Sequence, residues 1–249
     1  MSRICFITGT DTGVGKTVLT SLLARYLCQR GVAVAALKPI CSGGRADARA
    51  LRTAVEGALA LDEINPWHFR APLAPLLAAR LERKRVALDE VLAHVRKIQM
   101  EKPLVPRVPT RSYTGPDNQT RRRSNVVLIE GAGGLLSPLG EDFTARDLIV
   151  RLNAALIIVG PNKLGVVNHL LLTLEALPRP AARQASIVLM PPGQENAASR
   201  TNAKLLAERI DPERVLVFPC LPKNTPLLTA LEKPFVRRVL EKLALRLNP

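Results

Sequence analysis

A chain of 249 residues, 47% of them hydrophobic, can bury one α/β core or at most two small ones, which excludes the disordered class. It has no apolar run of membrane-spanning length, and Arg3 is followed by an alternating strand pattern rather than a signal-peptide core, so a cytoplasmic protein with no membrane partner is expected. The formal charge of +15 admits nucleic acid or anionic ligands, but with 3% aromatic residues there is little to stack bases on, and a solvated basic surface that attracts small anions is favoured over a nucleic-acid partner.

Residues 3–8, RICFIT, read as a strand that runs into a glycine-bearing loop. Residues 16–30 read as a helix, because Val18, Leu19, Leu22, Leu23, Tyr26 and Leu27 form one apolar stripe and Gly31 is a natural C-cap. With VAVAALK at 32–38 as a second strand, these make a β-loop-α-β unit, the start of a parallel sheet. Helices are predicted over 45–61 and 88–98. NVVLIEGAGG at 125–134 is a buried strand that enters a second glycine loop. Further strands are predicted at 154–160, 185–190 and 214–219, and further helices at 165–177, 197–209 and 227–247. Continuous apolar strands alternating with helices predict a three-layer, doubly wound, mostly parallel α/β sheet with helices on both faces, in one domain over 1–249. One stretch interrupts this order. Residues 99–125 hold four prolines and the run Arg121–Arg123, and are expected to form a mobile surface insertion. The cysteines Cys5, Cys28, Cys41 and Cys220 form no CxxC pair, so no metal or redox framework is expected of them.

The segment TGTDTGVGKT, residues 8–17, carries the chemistry. Gly9 and Gly15 have five residues between them, so in the usual phosphate-loop register Thr10 stands in place of the first glycine. The essential end, Gly13-Val14-Gly15-Lys16-Thr17, is intact and lies between a strand and a helix. Phosphates need many converging donors and little side-chain bulk, which a glycine turn at a helix N-terminus supplies. Lys16 is expected on the β- and γ-phosphates and the Thr17 hydroxyl on Mg²⁺. Mg²⁺ takes one or two carboxylates besides. Glu130 ends an apolar strand at the edge where ligands of open α/β sheets gather, which makes it a candidate. Asp47 begins a helix and serves equally as a first-turn charge favourable to the helix dipole. Lys38 ends the second strand; taken alone, it reads equally as a phosphate contact or as a solvated lysine.

TGTDTGVGKT (8–17), KPICSG (38–43), NPWHF (65–69), EGAGGLLSPL (130–139) and NKLGVVNH (162–169) occur in this order, and together they resemble the dethiobiotin synthetases. These are ATP-dependent carboxylases of biotin biosynthesis with a P-loop NTPase fold, and the likeness spans roughly residues 3–222 apart from the insertion. The resemblance implies that 7,8-diaminononanoate takes up CO₂ (or bicarbonate-derived CO₂) as a carbamate, that ATP with Mg²⁺ converts the carbamate to a carbamic-phosphoric anhydride, and that the second amine closes the ureido ring. It implies Lys16 and Lys38 as the catalytic cations, and Thr12, Gly13, Val14, Gly15, Lys16, Thr17 and Val18 as the nucleotide loop. Pro219 and Leu221 would lie near the base. Thr17, Asp47 and Glu130 would be the metal set. Thr12, Lys38, Ser42 and Gly133 would meet the substrate, and Lys163, Leu164 and Asn168 would reach its carboxylate from a neighbouring subunit, so a homodimer with sites at the interface is implied.

The chain departs from its relatives in places. Gly13 stands where some carry Glu, and Asp47 follows Ser42 by five residues, a shorter gap than in some. Met190-Pro191-Pro192 occupies the place where many have an adenine-binding Asn, which leaves nucleotide preference open. A partitioning ATPase with the same core usually carries a lysine early in the loop, where this chain has Asp11.

Overall fold

A computed structural model of the chain describes residues 3–101, 125–222 and 224–247. In chain order the elements are β1 (Arg3–Gly9), α1 (Lys16–Gln29), β2 (Ala33–Leu37), β3 (Ile40–Ser42), α2 (Ala46–Ala54), α3 (Leu61–Ile64), β4 (Trp67–Phe69), α4 (Pro75–Leu81) and α5 (Leu88–Glu101). After residue 124 follow β5 (Asn125–Glu130), α6 (Ala145–Arg151), β6 (Ala155–Pro161), α7 (Val166–Glu175), α8 (Arg179–Gln184), β7 (Ser186–Met190), α9 (Ala197–Ala207), β8 (Val215–Val217), α10 (Leu227–Glu232) and α11 (Pro234–Leu247).

One six-stranded sheet, in the order β2-β5-β1-β6-β7-β8, carries the fold, and every pairing in it is parallel. Its interior strands are apolar through their middles because helices cover both faces: Cys5, Phe6 and Ile7 of β1 and Val126–Ile129 of β5 are all at most 2% exposed. The register sets Ile7 opposite Glu130. The end of β1 and the end of β5 therefore leave the sheet side by side, and a phosphate loop and a buried carboxylate become neighbours.

The predicted doubly wound sheet is what the chain forms, with several local corrections. The helix expected over 45–61 stops at Ala54, because Glu56 and Gly57 take left-handed conformations (φ 54° and 71°) and the Gly57 amide turns back to the Arg52 carbonyl at 2.9 Å. The helix expected over 227–247 is two helices: Lys233, preceding Pro234, is extended (ψ 123°), and the proline opens α11. The strand expected over 214–219 shortens to Val215–Val217 behind a 3₁₀ turn at Pro212–Arg214. The second sheet, in which β3 pairs with β4, was not expected at all. Most of the 99–125 stretch, including Arg121–Arg123, lies outside the described residues; α5 extends as far as Glu101, three residues past its predicted end at 98.

Candidate active site

The phosphate loop spans from the end of β1 to the start of α1. The Thr10 amide donates to the Val159 carbonyl at 2.9 Å, continuing the β1–β6 pairing one residue past the strand. The chain then turns through Gly13 (φ 70°) and Gly15 (φ 99°), left-handed conformations that a side chain disfavours. Gly15 is also the N-cap of α1, and a Cβ there would come within 2.9 Å of Met190 Cγ. The Met190 side chain thus lies against the loop, at the position where many relatives have an adenine-binding Asn.

Lys16 is buried, and its ammonium donates to the Asp11 carbonyl of its own loop at 2.6 Å. Burial, then the neighbouring Lys38 charge, pulls its pKa down to about 8, against the opposing attraction of Glu130, Asp47 and Asp11.

Lys38 follows β2 and is 4% exposed. Its Nζ donates to Glu130 Oε1 at 2.6 Å and to the Gly131 carbonyl at 3.2 Å, and lies 2.9 Å from Asp47 Oδ2. Burial alone would depress this lysine, but the Glu130 and Asp47 carboxylates outweigh it and raise its pKa. Burial likewise pushes the Asp47 carboxyl up, while the Lys38 charge and its hydrogen bond bring it below the ordinary value. Thr17 Oγ1 donates to Glu130 Oε1 at 2.7 Å. Lys38, Asp47, Thr17 and Glu130 therefore form one cluster, and Lys38 is not a solvated lysine.

Among the described residues, no group of three or more His, Cys, Asp or Glu side chains converges as a metal cage. Mg²⁺ does not require one, since it keeps several waters and takes one or two carboxylates beside phosphate oxygens. The donors here suit it: two carboxylates and a hydroxyl meet, and Glu130 Oε2 is buried with no hydrogen-bond partner.

Two cavities adjoin this cluster. A cleft of about 390 Å³ is lined by Thr12, Lys38, Ser42, Asp47, Gly133 and Ser137, among others. An apolar pocket of about 220 Å³ is lined by Thr17, Val18, Leu22, Leu221, Leu227 and Ala230, among others. Pro219 is near Leu221 in sequence but does not line this pocket. A larger cavity, about 520 Å³, opens beside Arg3 and Asn153 at the opposite edge of the sheet and contains no loop residue. Lys163, Leu164 and Asn168 are exposed, Leu164 at 85%, and none of them lines the cleft of its own chain.

Asn65 lies within the NPWHF segment, and nothing in the sequence points to its task. It is fully buried, and its Nδ2 donates to the Lys38 carbonyl at 2.7 Å, while its Oδ1 accepts from Cys41 Sγ and Arg45 Nε at 3.1 Å each. The Lys38 amide donates to the Ile64 carbonyl at 2.9 Å, and β3 pairs with β4 from Ile40 opposite Trp67. Asn65 thereby holds the segment that carries Lys38 and Ser42. Asn162 performs a similar task at β6: its Nδ2 donates to the Ser199 carbonyl, its Oδ1 accepts from Asn202 Nδ2, both at 2.9 Å, and the Lys163 turn is pinned.

A strand, a glycine turn, a buried lysine and a hydroxyl at the C-terminal edge of a parallel sheet define a P-loop α/β protein. A family model described as AAA domain matches residues 3–229. The structure of pNOB8 ParA bound to nonspecific DNA aligns over 99% of this chain and 98% of its own with a TM-score of 0.58 and 14% identity, a shared fold. ATP-dependent dethiobiotin synthetase BioD of Anaeromyxobacter sp. (strain Fw109-5) is 39% identical over 179 residues, 70% of either chain. The same enzyme of Anaeromyxobacter dehalogenans (strain 2CP-C) is 37% identical over 225 residues, 88% of this chain and 91% of the relative. The chain belongs to the ATP-dependent dethiobiotin synthetase family.

Proposed function

We propose that this chain converts 7,8-diaminononanoate, CO₂ and ATP to dethiobiotin, ADP and phosphate. One amine adds to CO₂ and loses a proton, giving a carbamate. A carbamate oxygen attacks the γ-phosphorus as the bond to ADP breaks, giving a carbamic-phosphoric anhydride. The second amine attacks the carbamate carbon, phosphate leaves, a further proton is lost and the ureido ring closes.

The observation that carries this reading is the position of the Lys38–Asp47–Thr17–Glu130 cluster. Lys38 and Asp47 line the 390 Å³ cleft, while Thr17 lines the apolar pocket. A nucleoside in the apolar pocket, against Val18 and Leu221, sends its phosphates along the loop toward the cluster, and a diamine in the cleft meets them there. Thr12, Ser42 and Gly133 line the cleft on the substrate side. Lys16 and Lys38 bring positive charge to the place where carbamate and phosphate oxygens crowd together, and preorganised charge is the main resource in phosphoryl transfer. Thr17, Asp47 and Glu130 would hold Mg²⁺, which neutralises phosphate charge when bound. The exposed Lys163, Leu164 and Asn168 serve the cleft of a second copy, so the working form is a homodimer. The family favours a cytoplasmic setting; among the described residues no helix is long and apolar enough to cross a membrane.

The deciding experiment is ADP release with bicarbonate present, with and without the diamine, together with mass detection of the cyclic urea. Release that the diamine does not stimulate would reject the reading.

A further inference from the structure

Both carboxylates that a metal would use are already engaged by one ammonium. Lys38 Nζ lies 2.6 Å from Glu130 Oε1 and 2.9 Å from Asp47 Oδ2, and its third hydrogen bond goes to the Gly131 carbonyl at 3.2 Å. The remaining member of the set, Thr17, spends its hydroxyl proton on the same Glu130 oxygen. The Lys38–Glu130 contact lies out of water, with side-chain exposure of 5% and 0%, whereas Asp47 is about half exposed. A buried carboxylate without a cation is costly, so the cluster needs a positive charge at all times. A divalent cation draws on the same oxygens and is repelled by an ammonium held between them.

We propose that Lys38 is the resident counter-ion of the metal site: its ammonium occupies the Glu130–Asp47 pair in the metal-free protein, and metal loading displaces it into the adjoining cleft. This rests on the reading of Thr17, Asp47 and Glu130 as the metal set. Lys38 also lines the cleft, so the displaced ammonium has somewhere to go without crossing the core. The lysine is then available to an anionic oxygen in the cleft only once its place between the carboxylates has been taken. An anion bound to Lys38 likewise frees the carboxylates. Metal and anion thus favour each other's binding by reciprocal coupling.

The test is Mn²⁺ binding to the nucleotide-free full-length chain, read as loss of the free Mn²⁺ electron paramagnetic resonance signal. Lys38→Met removes the competing charge and should bind Mn²⁺ about 10- to 100-fold more tightly than the wild type, the range typical of groups that act on metal ligands. Lys38→Arg keeps the charge and should remain within a few-fold of the wild type. Unchanged or weaker Mn²⁺ affinity in Lys38→Met would overturn the role of Lys38 alone. No Mn²⁺ binding in Lys38→Met would overturn it together with the metal set. A measurement on the wild type guards against misfolding of the variant: the Lys38 ¹³Cε resonance should shift during a Mg²⁺ titration with the midpoint of binding. A resonance that does not move at saturating Mg²⁺ would also overturn the proposal. Dethiobiotin formation by the wild type is scored separately and depends on neither result.

Discussion

Lys38 Nζ and Glu130 Oε1 are 2.6 Å apart at a place where neither side chain reaches water, one arriving from the end of β2 and the other from the end of β5. The pair joins two neighbouring strands at the edge where the phosphate loop begins. Removing one member of a buried pair leaves an uncompensated charge, which typically costs about 3–5 kcal/mol. Glu130→Ala should lower the unfolding free energy, read by urea titration, by that order. The half-exposed Asp47 can take over part of the pairing, so the lower end of the range is expected. Lys38→Met combined with Glu130→Ala should recover much of the loss, because no charge is then stranded. A double variant no more stable than Glu130→Ala would show that the pair is not the source of the cost.

Lys16 predicts a pH dependence. Its pKa in the ligand-free protein is about 8, against an ordinary 10.5. Phosphate oxygens beside the ammonium raise it again, so nucleotide binding takes up a proton above pH 8. Affinity should be level below about pH 7 and fall by up to about tenfold per unit above pH 8. Calorimetry in buffers of different ionisation enthalpy reads the uptake directly. Fold stability follows the opposite sign: the buried ammonium costs stability below pH 8, and that cost fades as the pH rises toward 10.5. In Lys16→Ala both effects should vanish, and turnover should drop at least about 100-fold while the circular dichroism is kept. Loss of the fold in this variant would contradict the placement of Lys16 against its own loop.

Gly15→Ala should abolish nucleotide binding. Its φ of 99° penalises any side chain by about 1–2 kcal/mol, and the added Cβ meets Met190 Cγ at 2.9 Å. Met190→Ala opens space but leaves the backbone penalty, so the double variant should recover binding only in part. Full recovery, measured by titration with a fluorescent nucleotide, would locate the whole defect in the contact.

The exposed turn before α7 predicts complementation. If Lys163, Leu164 and Asn168 serve the cleft of a second copy, mixing Lys16→Ala with Asn168→Ala protomers should restore activity in one site of each mixed dimer, roughly a quarter of wild type at random pairing. Mixtures no more active than the sum of their parts would place these residues outside the site.

Much of this was readable along the chain. Five strands, β1, β2, β5, β6 and β7, were legible because each holds an apolar run of four residues or more bounded by polar or turn residues. Six elements, β3, α3, β4, α4, α6 and α8, carried no expectation of their own, and α3 and α8 are only four and six residues long. β3 and β4 have three residues apiece, and Ile40 pairs with Trp67, so neither shows a period on its own. α4 opens on Pro75 and is only seven residues long. α6 did carry a signal: Thr144 and Asp147 form a capping box, with the Thr144 amide 2.8 Å from Asp147 Oδ2. In the site, Gly15, Lys16 and Thr17 were legible as a motif, whereas the task of Asn65 was not, because its partners Lys38, Cys41 and Arg45 lie 20 to 27 residues away in sequence.

The order of residues along the chain sufficed for the sheet, the phosphate loop and the family resemblance, because periodicity and loop chemistry are local properties written in consecutive positions. It left Lys38 open between a phosphate contact and a solvated lysine, and Asp47 between a metal ligand and a first-turn helix charge, and offered no sign of the contact between Met190 and Gly15. The parallel packing of β2, β5 and β1 buries Lys38 against Glu130 and Asp47, and the packing of β7 on β6 beside β1 brings Met190 to Gly15. Whether a charged side chain is solvated or buried against a counter-charge depends on what arrives from distant segments, and only the folded chain brings those segments together.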